Sequence, residues 1–229
     1  LSKSSYRVQR PCSKMNKLVI FDLDDTLLCA DSEFHFTKFI VREGMLDKDF
    51  YLKKIKAFDL DYRSGNLNFK DYMRFLLYPL IGKNKKDVGE LVSKFILLNK
   101  EILIDKLTFR LLEKHKHENV LIASGALDII VQGFANLFEI SEFLGTKTEF
   151  INDKVTGETI GEPNFDTGKL VNVKDWCKNK NLNLEEATFY TDSIHDLPLV
   201  EKCKNSIVVS PDEKLKEYAE NNNLKIIYR

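Results

Sequence analysis

What most constrains this chain is the alternation of short apolar runs with helical segments over residues 106–228. Apolar residues at spacings of three and four mark helices at 106–115, 127–138, 168–178, 197–203 and 213–221. Runs at 120–123, 187–190, 206–209 and 225–228 have the composition of strands buried on both faces. Strands separated by helices return parallel, so the pattern predicts an α/β fold with a parallel sheet between two helical layers. One further run, KLVIF at 17–21, stands far upstream and ends abruptly in acidic residues, as a buried strand does at its carboxyl end. Between it and the alternating region, segments such as FHFTKFIVREG, DFYLKKIKAFDLDY, FKDYMRFLLYPLIG and KDVGELVSKFILLNKEIL show helical periodicity and no convincing strand. Residues 32–105 therefore read as an all-helical insertion. The stretch 143–165 is less regular, and Thr156-Gly157 between β-prone runs predicts a hairpin there.

A chain of 229 residues can carry one sizeable core with such an insertion. Its 35 basic and 35 acidic side chains cancel, which gives no support for nucleic acid or a charged membrane surface as a partner. No apolar run approaches the roughly 18 residues needed to span a bilayer. Residues 1–14 lack a hydrophobic core of the kind secretion signals carry, and Met15 directly precedes a strand pattern. They read as a flexible leader. Cys12, Cys29, Cys177 and Cys203 are scattered, as reduced thiols in a cytoplasmic protein are.

The polar residues that follow the strands carry the chemistry. FDLDDTLL puts Asp22 and Asp24 on alternate positions, so an extended chain points both the same way. Neighbouring carboxylates repel unless a cation lies between them, and a hard divalent ion such as Mg²⁺ suits oxygen donors and a phosphate substrate. A solvated turn or helix cap would use the same residues. Further along, NVLIASGALDIIV sets Ser124 and Gly125 between a strand and a helix, where a hydroxyl and free N–H groups suit either a phosphate oxygen or an ordinary cap. NFDTGKLVNVKDW brings Lys169 to a helix start, where a cation is disfavoured unless solvent or an anion holds it. YTDSIHDLPLVE sets Asp192 and Asp196 after another strand.

In that order these features resemble the haloacid dehalogenase-like hydrolases, through DxDxT at 22–26, Ser124, Lys169 and DSxxD at 192–196. The chain looks most similar to the subfamily IB, phosphoserine phosphatase-like group, through DLDDTLLCADSEF, YRSGNLNFKDYMRFLLYPLIG and IVVSPDEKLKEYA. The resemblance implies a Rossmann-like core over residues 15–31 and 106–229 with a helical cap over 32–105. It also implies a phosphomonoesterase with Asp22 as nucleophile and Asp24 as acid and base. Mg²⁺ would be held by Asp22, the Asp24 carbonyl and Asp192, with Asp196 as a supporting or additional ligand. Ser124, Gly125 and Lys169 would bind the phosphoryl group.

Two departures stand out. Asp25 replaces the glycine frequent in this motif, and His195 stands where asparagine is common; a loop histidine and a pH-sensitive contact are both open readings. His115 and His117 read as solvated. Asp31, nine residues past Asp22, is either a helix cap or the group that recognises a substrate amine. Tyr62, Arg63, Tyr72 and Arg74 in the cap are within range of a substrate or belong to its core and solvated faces. The resemblance suggests a small phosphorylated metabolite such as phosphoserine or histidinol phosphate. Phosphate transfer to another acceptor and a non-catalytic binding module are the rival functions.

Overall fold

The computed structural model describes residues 17–229, with the Arg63 side chain excepted. The leader at 1–14, Met15 and Cys12 lie outside the described residues. Strand β1 (Leu18–Phe21) precedes four helices, α1 (Ser32–Arg42), α2 (Lys48–Ser64), α3 (Phe69–Leu77) and α4 (Lys85–Leu103). Then follow α5 (Lys106–His115), β2 (Asn119–Leu127), α6 (Asp128–Leu137), β3 (Glu142–Thr146), β4 (Thr148–Ile151) and β5 (Lys154–Thr159). The chain continues through α7 (Thr167–Lys180), β6 (Thr188–Thr191), α8 (Leu197–Val200), β7 (Asn205–Val209), α9 (Glu213–Asn221) and β8 (Lys225–Ile227). Six strands form one sheet in the order β3-β2-β1-β6-β7-β8, and every pairing in it is parallel. The α/β architecture is the one the alternation predicts. Among the described residues no helix is long and apolar enough to cross a membrane.

The period of two in KLVIF explains how β1 serves both layers. Val19 and Phe21 join a core with α5, α6 and the inserted helices, whereas Leu18 and Ile20 join one with α7 and α8. All four residues are at most 4% exposed. The inserted helices begin where short polar side chains satisfy otherwise unpaired N–H groups: Asp31 caps α1, Asp47 α2, Asn68 α3 and Asn84 α4. Asp105 and Thr108 form a reciprocal capping box for α5. The insertion is rooted in the core, because α4 lies so close on α6 that a Cβ on Gly133 would fall 2.6 Å from Ile96 Cδ1. Its other end, the corner between α2 and α3, reaches over the carboxyl edge of the sheet.

Two local readings are corrected. The hairpin exists as β4 and β5, but it turns at Asn152 and Asp153, both at positive φ, and Gly157 lies inside β5. Its φ of +95° and the approach of Ile81 Cδ1 to 2.8 Å from a would-be Cβ account for that glycine. The irregular stretch also hides β3, the outermost strand next to β2. His115 is buried rather than solvated, with Nδ1 at 2.5 Å from Glu118 and Nε2 at 2.9 Å from the Tyr190 hydroxyl. His117 is exposed, as expected.

Candidate active site

β1 lies inside the sheet, so the residue after it stands at the middle of the carboxyl edge, where α/β sheets bind ligands. That residue is Asp22, whose N–H donates to the Tyr190 carbonyl at 2.9 Å. The chain stays extended through Asp24 (φ −70°, ψ 139°) and then turns sharply at Asp25 (φ 51°, ψ −2°). Leu27 and Leu28 fold back to the carbonyls of Asp22 and Leu23 at 3.3 and 2.8 Å. Aspartate tolerates this left-handed backbone better than most residues, and glycine does so freely. Asp25 itself is exposed.

Lys169, 3% exposed, joins two of the sequence-predicted acids. Its ammonium lies 2.8 Å from Asp22 Oδ1 and 2.6 Å from Asp196 Oδ1, and Thr191 Oγ1 donates to the other Asp196 oxygen at 2.6 Å. Asp192 accepts from Thr26 Oγ1 at 2.7 Å. Burial raises Asp22 to about 6, against the lowering effect of Lys169. Burial, then the charges of Asp22 and Asp25, hold Asp192 well above the usual carboxylate range. Burial alone would lower Lys169, yet Asp196 and Asp22 carry it above its ordinary value. Two acids face one ammonium here and the half-buried Asp192 lies near Asp22, so carboxyl groups outnumber the ammonium.

Asp24 keeps different company. Its Oδ1 accepts from the Ser32 N–H at 2.7 Å, at the start of α1. Asp31 does act as a cap, accepting from the Phe34 N–H at 2.8 Å. Glu33, which the sequence reading passed over, is 5% exposed and accepts from the Leu127 N–H at 2.9 Å. Burial, followed by the charges of Asp31 and Glu33, lifts Asp24 well above its ordinary value. Burial likewise raises Asp31 to about 6. An acid so placed holds its proton more firmly than a free carboxyl does, as a proton donor must.

The register Phe21↔Ile122 sets Ser124 on the neighbouring strand just past the level of Asp22. Ser124 does not sit at a helix N-terminus as predicted. β2 runs on to Leu127 through a register shift against β3, and α6 begins only at Asp128. Long-range bonds keep this irregular end in place: Asn164 Nδ2 donates to the Ser124 carbonyl at 2.8 Å and Thr146 Oγ1 to the Gly125 carbonyl at 2.7 Å. Asn164 is wholly buried; it and Thr26 lie inside the quoted motifs, yet neither was given a role.

Of the candidate cap residues, Arg74 pairs with Glu158 at 2.8 Å on the exposed side, and Tyr72 reaches Glu33. Tyr62 meets the core at Ser193 and His195. His195 is partly buried against Tyr62 and Phe165, with Nδ1 3.9 Å from Asp166. Among the described residues no three His, Cys, Asp or Glu side chains converge as a ready-made metal cage.

A profile of the haloacid dehalogenase-like hydrolases matches residues 19–201. A histidinol-phosphatase of Neisseria meningitidis serogroup C is 28% identical over 211 residues, which cover 90% of this chain and 95% of that protein. A phosphoserine phosphatase of Mycobacterium tuberculosis is 24% identical over 92% of this chain and 70% of its own length. Among solved structures, a protein of unknown function from Bordetella pertussis Tohama I superposes with a TM-score of 0.84 at 24% identity, covering 93% of this chain and 98% of its own. A substrate-bound phosphoserine phosphatase complex gives 0.68 at 19% identity, with 94% of each chain covered. These structural likenesses concern the fold.

Proposed function

The chain belongs to the haloacid dehalogenase-like hydrolases, and from that premise we propose that it is a phosphatase that hydrolyses a small phosphomonoester through a phospho-aspartate on Asp22. The observation that carries this reading is the buried Asp22–Lys169–Asp196 bridge at 2.8 and 2.6 Å, directly beyond the strand end where a ligand would arrive. A carboxylate whose charge is balanced by a fixed ammonium can approach an anionic phosphoryl group without prohibitive repulsion.

In the first step an Asp22 oxygen bonds to phosphorus, the ester P–O bond breaks, and the protonated Asp24 supplies a proton to the departing alcohol. In the second step Asp24, now ionised, takes a proton from water as the water oxygen bonds to phosphorus and the bond to Asp22 breaks. Lys169 offsets charge on Asp22 and on the phosphoryl oxygens, and the Ser124 hydroxyl with the Gly125 N–H bonds those oxygens. The donor set fits Mg²⁺: two carboxylates, Asp22 and Asp192, and the Asp24 carbonyl suffice for an ion that keeps several waters. Bound there, Mg²⁺ would neutralise the excess negative charge and polarise the phosphoryl oxygens. Both Asp196 oxygens are engaged by Lys169 and Thr191, so its part is to hold Lys169 rather than the ion.

Residues 32–105 serve as the cap, and Asp31, a half-buried acid close to Asp24 and Glu33, suits a substrate that carries an amine. Phosphoserine and histidinol phosphate are the first substrates to test, given the names of two relatives. The experiment is phosphate release from a panel of metabolite phosphates with Mg²⁺, alongside Asp22→Asn. The native protein is expected to turn over at least one amine-bearing ester, and the variant to keep its fold while losing activity to background. Activity retained in Asp22→Asn would refute the nucleophile; inactivity of the native protein on the whole panel would favour a binding module.

A further inference from the structure

Tyr62 stands near the end of α2, at the corner that overhangs the carboxyl edge. Its hydroxyl lies 2.8 Å from Ser193 Oγ, although 131 positions separate the two in sequence. Ser193 directly follows Asp192, and from it a run of short polar contacts leads to Asp22. The Ser193 N–H donates to Thr191 Oγ1 at 3.2 Å, and Thr191 Oγ1 donates to Asp196 Oδ2 at 2.6 Å. Asp196 Oδ1 pairs with Lys169 at 2.6 Å, and Lys169 donates to Asp22 Oδ1 at 2.8 Å. Ser193 Oγ also accepts from the His195 N–H at 3.3 Å, which fastens the turn carrying Asp196.

Ring contacts follow the same route. The Tyr62 ring is centred 4.8 Å from that of His195, and His195 is 4.8 Å from Phe165. Phe165 in turn stacks on Phe69, at the start of α3, with centroids 4.6 Å apart and planes 9° from parallel. Phe165 lies just ahead of α7, which bears Lys169, so the corner touches both core segments that hold the ammonium bridge. Centroid separations this short are direct ring contact and leave no gap for another ring between them. The cluster is a seat for the corner.

We propose that Tyr62 is a positioning residue for the hydrolysis described above: its docking on Ser193 fixes the 192–196 turn, so that Asp192, Asp196 and Lys169 take their working places only when the α2–α3 corner is seated. The proposal rests on the phosphatase reading, and its test separates the two. Tyr62→Phe keeps the ring contacts and removes the hydroxyl, and Ser193→Ala removes the same bond from the other side together with the cap on the His195 N–H. With saturating Mg²⁺, Tyr62→Phe is expected to lose kcat about three- to tenfold, the range of one hydrogen bond, and Ser193→Ala at least as much, with KM nearly unchanged in both. The double variant is expected to be no slower than Ser193→Ala alone, since the Tyr62 hydroxyl acts through Ser193. Amide hydrogen exchange at 192–196, followed by mass spectrometry, is expected to quicken in Tyr62→Phe while Tm holds. Unchanged kcat in Tyr62→Phe, losses that multiply in the double variant, or a raised KM with intact kcat would each overturn the proposal. Failure of the native protein to release phosphate would instead remove the phosphatase reading. The exchange comparison needs no turnover and still decides whether Tyr62 holds the turn.

Discussion

Glu33 sits where α1, α3 and the end of β2 meet, 5% exposed, with its carboxylate on the Leu127 N–H at 2.9 Å. Burial, with the charge of Asp31 adding to it, raises its pKa from 4.5 to about 8. The folded protein therefore keeps this proton over the interval in which the unfolded chain releases it. The stabilising contribution of Glu33 is complete below the unfolded value and is lost as pH rises through about 8. Glu33→Gln keeps an acceptor for Leu127 and removes the titration. Its Tm is expected to equal that of the native protein in acid, below about pH 4.5, and to exceed it near about pH 8. Thermal melts at the two pH values check this; a gap of equal size at both would show that Glu33 does not titrate as its surroundings dictate.

At the level of elements, α7 delivers Lys169 because its first turn passes very close to the preceding loop. A Cβ on Gly168 would lie 2.2 Å from the Pro163 carbonyl oxygen. Gly168→Ala must push the helix start away, at a cost of roughly 1–3 kcal/mol, and move Lys169 off its two acids. Urea unfolding is expected to show that loss, and phosphate release to fall even where the variant remains fully folded; native activity in the folded variant would mean the helix start adjusts freely. Lys169 and the acids at 22, 192 and 196 were legible in the sequence because each follows a strand or opens a helix, and local pattern reveals those places. α5 and α9 were legible to the residue, for their caps and apolar stripes lie within the segments. β2 was not, because Ser124-Gly125 interrupts the apolar run and its last residues are held by Asn164 and Thr146, 40 and 21 positions away. The edge strand β3 lacks a fully buried run, its first three residues being only half-buried. Glu33 escaped for a similar reason, and Tyr62, named only as a residue that could reach a substrate or pack in the cap, gave no sign of its contact with Ser193, since their partners stand 94 and 131 positions off. His115 looked solvated beside charged neighbours, whereas Tyr190 and Glu118 satisfy both its nitrogens inside the fold.

Across the whole molecule, the proposed Mg²⁺ site at the sheet edge would exist in the folded state alone. Mg²⁺ is expected to raise Tm progressively with its concentration, and chelation to reverse the rise. Asp192→Asn is expected to blunt the response, as scanning fluorimetry across a Mg²⁺ series would reveal; an undiminished rise would exclude Asp192 as a ligand. The sheet order has another consequence, one of timing. β1 pairs with residues 119–122 on one side and 188–190 on the other, and among the described residues with nothing nearer in sequence. On a ribosome the inserted helices can consolidate from local contacts, while the KLVIF run waits with both edges bare for partners about a hundred and more positions downstream. Asp22 is therefore made early and partnered late. A nascent chain carries no Asp22–Lys169–Asp196 bridge until residue 196 has joined the fold, so the period before that point is also when the KLVIF strand most needs shielding from other chains.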